Sequence, residues 1–180
     1  MSERELARLV GNGDPRGQRE LYERYAPYLS AVASRYLGPG DSVKDLLQDV
    51  FIKVFDRFGS YHYRGEGSLK AWLSRIVVND SLRILQKSDR LLPVENLPEP
   101  AQDEDPDVEN VPLDVLHDMI ARLPDGYRTV FNLYVFEQKK HKDIAALLGI
   151  KENSSASQLL RAKALLAKEL KEYRKLHANG

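Results

Sequence analysis

A chain of 180 residues can build one sizeable core or two small ones, and 42% apolar with 30% charged residues is the composition of a folded protein. Lysine plus arginine equals aspartate plus glutamate at 27 each, so net charge gives no argument for a nucleic-acid partner and only the distribution of charge can. There is no cysteine, and His62, His117, His141 and His177 are scattered without ligand spacing, so neither a disulfide nor a metal or other cofactor is expected. No stretch approaches the ~18 uninterrupted apolar residues of a membrane span. The opening MSERELARLV carries acids where a signal peptide carries a basic flank and an apolar run. The expectation is a cytoplasmic chain with no membrane insertion.

Asp14 and Pro15 open a helical pattern through Leu21, Tyr22 and Tyr25, and Pro27 is read as the start of a second helix through Leu29, Val32 and Tyr36, ended by Gly38-Pro39-Gly40. The clearest amphipathic helix follows, with Val43, Leu46, Leu47, Val50, Phe51, Val54 and Phe58 on one face and Ser42 with Asp45 as its capping box. Its opposite face shows Asp45, Gln48, Asp49, Ile52, Lys53 and Asp56; such a face is ordinarily solvated, but Ile52 among acids suits a partner surface.

The segment GSYHYRGEGS then places Tyr61, His62, Tyr63 and Arg64 on a glycine-rich loop. Rings beside arginine either fold back on the core or form a stacking platform for unpaired bases. A helix from Ser68 to about Lys87 buries Leu69, Leu73, Ile76 and Val77 and carries Lys70, Arg75, Arg83 and Lys87 with Asp80 as its only acid. A basic helix directly after an aromatic loop favours nucleic acid, because cations meet phosphates while rings hold bases.

Between Leu91 and Pro112 lie seven acids, five prolines and no basic residue, the composition of a flexible linker. Residues 1–90 and 113–176 are therefore expected as two domains joined by the acidic linker 91–112. Neither half shows strand-type alternation, so the fold class is all-α. From His141, Ile144, Leu147 and Leu148 recur at helical spacing, Gly149 interrupts them, and a second amphipathic run starts near Asn153. With Ala145 small enough for close helix approach and Ile150 as an apolar plug, this reads as a helix-turn-helix, although a plain helical hairpin has a similar pattern.

Taken in order, DLLQDVFIKVF at 45–55, YRGEGSLKAWLSRIVVN at 63–79 and LPDGYRTVFNLYVFE at 123–137 ahead of the helix-turn-helix resemble the extracytoplasmic-function sigma factors of bacterial RNA polymerase, in the sigma-70 family. The resemblance covers both halves. It implies that Asp45, Gln48, Asp49 and Ile52 meet the core polymerase. Tyr61, Tyr63, Arg64, Gly65, Glu66 and Ser68, with Lys70, Arg75, Asn79 and Arg83, would read the minus-ten element, shaping a pocket for a flipped base of the melted non-template strand. Trp72 and Ile76 would be core residues. Ser154, Ser155, Gln158, Arg161 and Lys163 would meet the duplex minus-thirty-five element, Gln158 reading adenine and the cations holding phosphates. The family commonly has glycine-threonine where this chain has Asn153-Ser154, and a basic residue where it has Ala156, which reaches neither phosphate nor base. The implied partners are core RNA polymerase, promoter DNA as duplex and melted strand, and an anti-sigma factor.

The competing classes are a stand-alone helix-turn-helix regulator, which leaves DLLQDVF and the aromatic loop without a role, and a sigma-like adaptor that titrates an anti-sigma protein. Acids, histidines and hydroxyls show no catalytic spacing, so no enzyme is expected.

Overall fold

The computed structural model describes residues 1–91 and 105–178, which fall into two compact units, Met1–Lys87 and Ser88–Gly180. All regular structure among the described residues is helical.

Unit 1 contains α1 (Glu3–Gly11), α2 (Pro15–Leu37), α3 (Asp41–Arg57), a short 3₁₀ turn (Phe58–Ser60) and α4 (Ser68–Lys87). The sequence reading assigns no helix before Asp14, yet α1 forms, capped by Ser2, whose side chain accepts from Glu5 N–H at 3.1 Å, and anchored by Leu6 and Val10. Asp14 caps α2 by accepting from Arg16 N–H at 2.9 Å. Its side-chain and backbone bonds to Arg16 hold the Asp14 carboxyl down at about 2.

The expected break at Pro27 does not occur, for α2 runs through it. An interior proline costs ~3 kcal/mol, but Leu21, Tyr25, Leu29 and Val32 continue one buried face across it, and keeping that face against α3 and α4 outweighs the lost bond. The capping box at Ser42 and Asp45 does not form either. The helix already starts at Asp41, after Gly40, and no side chain caps it. The core joins Leu6, Leu29, Val32, Tyr36, Val50, Val54, Leu69, Leu73, Val77 and Leu85.

Unit 2 contains α5 (Leu113–Ala121), α6 (Asp125–Val135), α7 (His141–Leu148) and α8 (Glu152–His177), with α8 packed on the other three. Met119, Ile120, Tyr127, Val130, Leu133, Ile144, Leu159, Leu166 and Leu170 form its core. Arg128 is buried and donates to Ala121 O at 2.9 Å and Leu123 O at 3.2 Å, so a side chain of α6 satisfies carbonyls left open where α5 ends. Most of the expected linker, residues 92–104, lies outside the described residues. Its final part lies along α8: Lys163 Nζ is 2.8 Å from Asp105, and Arg174 donates to Asp107 O at 3.2 Å and Glu109 O at 2.9 Å.

Candidate nucleic-acid and polymerase interface

On α3 the apolar face is buried through Val43, Leu46, Val50, Phe51 and Val54, which turns Asp45, Gln48, Asp49 and Ile52 outward. Ile52 is 60% exposed. An apolar side chain held in water among carboxylates, on a helix that its own core fixes rigidly, is a ready protein contact.

The loop after α3 divides its aromatic residues. Tyr61 is half-buried: its ring centroid lies 5.4 Å from Phe58 and 5.2 Å from Trp72, and its hydroxyl is 2.7 Å from Ser68 Oγ. Burial raises the Tyr61 phenol above its ordinary value. Tyr63, by contrast, is 37% exposed, with its hydroxyl 3.4 Å from Glu66, and His62 and Arg64 are exposed beside it. Of the two tyrosines expected to stack on bases, one is largely committed to the protein. Sequence alone does not separate them, because the distinction depends on where Phe58 and Trp72 stand.

Two adjoining concavities open here. One, of about 260 Å³, is lined by residues including Tyr61, His62, Arg64, Ser68, Trp72 and Arg75. The other, of about 240 Å³, is lined by residues including Arg57, Trp72, Ile76, Asn79, Asp80 and Arg83. Trp72 and Ile76, expected in the core, are half-buried and line these hollows, one of which is shared with Lys53 and Arg57 of α3. The walls combine aromatic surface, cations and the Asn79 amide, a chemistry that suits a base with its phosphate. Lys70 lies to one side, its ammonium 4.0 Å over the Tyr28 ring. Gly65, Glu66 and Ser68 form the turn into α4.

In unit 2 the helix-turn-helix has the expected turn. Gly149 sits at φ +67°, in the left-handed region that glycine enters without strain, and Ile150 N–H donates to Ala145 O at 3.1 Å. Along α8, Ser154, Gln158, Arg161 and Lys163 are partly exposed. A Cβ on Gly126 would come within 3.1 Å of Gln158 Oε1, so the Gln158 amide rests against the first turn of α6. Ser155 does not belong to this surface. It is fully buried, and its hydroxyl is 2.8 Å from His141 Nδ1, pinning α8 to the start of α7. The stack of His141 on Tyr134, with centroids 4.8 Å apart, completes the contact.

Sequence reasoning misses Glu3 altogether. It lies on α1, is buried, and accepts hydrogen bonds from the backbone where α4 begins. Its only sequence signal is an acid in the first turn of a short helix, which is unremarkable. Among the described residues no group of histidines and carboxylates is placed to hold a metal ion, and no helix is long and apolar enough to cross a membrane.

Residues 21–91 match the family model for sigma-70 region 2, and residues 113–166 match that for sigma-70, region 4. The chain is 26% identical over 184 residues to the ECF RNA polymerase sigma-E factor of Haemophilus influenzae, covering 94% of this chain and 96% of that protein. To the protein of the same name from Escherichia coli it is 27% identical over 177 residues, covering 91% of each. Among solved structures it is similar to CnrH in complex with the cytosolic domain of CnrY, with a TM-score of 0.51 and 24% identity over 94% of this chain and 97% of that one, a likeness of fold.

Proposed function

This chain belongs to the sigma-70 family, as a factor of the extracytoplasmic-function type, and we infer that its two units divide the work of promoter use between them. It is an RNA polymerase sigma factor, which binds core polymerase and directs initiation at specific promoters.

In unit 1, the outward face of α3, with Asp45, Gln48, Asp49 and Ile52, docks on the polymerase. The loop and α4 behind it take the minus-ten element. Tyr63 and Arg64 offer stacking and cation contacts, the hollows lined by Trp72, Arg75, Asn79 and Arg83 receive an unstacked base, and Gly65, Glu66 and Ser68 shape the entry, with Lys70 toward the phosphates. Reading a base's whole edge requires taking it from the stack, at a cost of a few kcal/mol, so recognition and strand opening are one event. In unit 2, α8 enters the major groove of the minus-thirty-five element, Gln158 facing base edges and Ser154, Arg161 and Lys163 facing phosphates. The protein itself carries no catalytic chemistry, acts in the cytoplasm, and is held in check by an anti-sigma protein.

The observation that carries this reading is the arrangement of unit 1: a rigid acidic face with an exposed isoleucine on α3, next to paired aromatic and cationic hollows on α4. A stand-alone helix-turn-helix regulator has no use for it. Purified core polymerase should transcribe selected promoters from a genomic pool only when this protein is added. A pool transcribed alike with and without it would refute the assignment.

A further inference from the structure

The first turn of α1 reaches the start of α4. Glu3 is 4% exposed, accepting from Leu69 N–H through Oε1 at 2.9 Å and from Gly67 N–H through Oε2 at 3.0 Å, while the Tyr25 hydroxyl donates to Oε2 at 3.3 Å. The first N–H groups of a helix have no partner within it, and Gly67, just before α4, has no side chain to serve them. Glu3 supplies the cap from another helix, 64 and 66 residues away along the chain, and its negative charge opposes the partial positive charge of that helix end.

Ser68 carries this constraint into the loop. Its shortest contact, 2.6 Å to the Gly65 carbonyl, takes the one proton its hydroxyl has. Tyr61 O–H is therefore the donor across the 2.7 Å contact to Ser68 Oγ, and Arg64 N–H donates to the same oxygen at 3.2 Å. Gly65 and Gly67, at φ +113° and +87°, let the chain fold tightly enough for these bonds to close. Tyr61 and Arg64 are thus tied through Ser68 to the junction that Glu3 closes.

We propose that Glu3 is a positioning residue for base recognition: by capping α4 from α1, its carboxylate holds the Tyr61–Ser68 loop in its receiving arrangement before DNA arrives. The role rests on the reading of unit 1 as the minus-ten surface. A loop ordered in advance loses less conformational freedom on binding, so the cap acts on DNA affinity without touching DNA. The hydrogen-bond partners of Glu3 lie on α2 and at the start of α4, not on the α3 face assigned to the polymerase.

The test compares wild-type and Glu3→Gln holoenzymes for binding to the single-stranded non-template strand of a promoter that the wild-type enzyme transcribes. Glu3→Gln keeps one acceptor and loses the charge. Strand affinity should fall about tenfold, the size of one hydrogen bond to a charged group, while affinity for core polymerase is unchanged. Trp72 is the only tryptophan, and its ring centroid is 5.2 Å from that of Tyr61, so its emission should shift red and become easier to quench as the loop loosens. If Glu3→Gln fails to fold, Glu3→Asp, with the charge kept and the reach shortened, carries the same expectations. A folded variant with wild-type strand affinity overturns the proposal, as does a loss shared equally with polymerase binding, which is what a purely architectural cap would give. A wild-type holoenzyme that ignores the strand overturns the reading of the loop and this role with it, a failure visible in the wild-type arm alone.

Discussion

Lys53 of α3 donates to one carboxylate oxygen of Asp80 on α4 at 2.8 Å, and Arg83 donates to the other at 3.0 Å. The helix assigned to the polymerase and the helix assigned to DNA share one buried carboxylate, 7% exposed, between two cations. Removing the charge leaves both cations beside a site that can no longer compensate them, so Asp80→Asn should destabilise unit 1 by about 1–3 kcal/mol. Lys53→Met should cost less, because Arg83 still compensates the Asp80 carboxylate at 3.0 Å. Thermal melts of both variants test the order, and equal melting of Asp80→Asn and wild type would show that the bridge contributes nothing.

The two loop tyrosines should separate in the same kind of measurement. Tyr61→Ala empties space between Phe58 and Trp72 and removes the donor to Ser68, so it should lower the melting temperature. Tyr63→Ala, on a ring that faces solvent, should leave the melt unchanged and weaken single-stranded DNA binding by ~1–3 kcal/mol, the scale of one base stacked on an aromatic ring. Unchanged strand binding by Tyr63→Ala would remove the stacking platform from the account.

The amphipathic spacing of α3, the span of α4 and the glycine of the helix-turn-helix were legible in the sequence because each is a local signal of periodicity or backbone freedom. The mistaken elements were decided by packing. Pro27 is a strong local breaker, but α2 carries a continuous buried face through it; Ser155 looks like a surface hydroxyl until His141 arrives from a neighbouring helix. Trp72 and Ile76 have apolar side chains that read as core, yet both are half-buried and line open hollows. Glu3 was illegible because its partners lie at Gly67 and Leu69, and no spacing rule joins positions that far apart. What holds the loop and helix ends in place was thus not readable from local signals.

Asp125 links the stability of unit 2 to pH. Burial favours its neutral form, but the hydrogen bond from Arg90, 2.9 Å away, and the charges of Arg128 and Arg90 outweigh this and hold the carboxyl below its ordinary value. A carboxyl lowered in the folded state stabilises above its unfolded value, about 3.9, and loses that contribution as pH falls through the folded one. The Asp125 contribution should therefore be constant from neutral pH to about 4.5 and fall away below it, with Asp125→Asn less stable at neutral pH and less sensitive to acid. Parallel slopes for the two proteins below pH ~4 would place the acid sensitivity on other groups.

Lys163 can hold a carboxylate of its own chain or a phosphate of DNA. In the free protein its ammonium lies 2.8 Å from Asp105, whose side chain is 88% exposed, so the end of the acidic segment occupies a cation assigned to phosphate. Binding duplex DNA through Lys163 exchanges this carboxylate for a phosphate oxygen, and the displaced carboxylate also repels the approaching backbone. The Lys163 side chain is 18% exposed, but a pair whose carboxylate is this open to water is worth ~0–1 kcal/mol, so Asp105→Asn should strengthen minus-thirty-five duplex binding by about two- to fivefold at low salt. The gain should shrink as salt screens both interactions, and it should vanish in the Lys163→Ala background, where the aspartate has no ammonium to hold. Titration of the four proteins, wild type, each single variant and the double, against duplex at two salt concentrations decides the matter: a gain from Asp105→Asn that persists without Lys163 would be general charge repulsion rather than competition for that side chain.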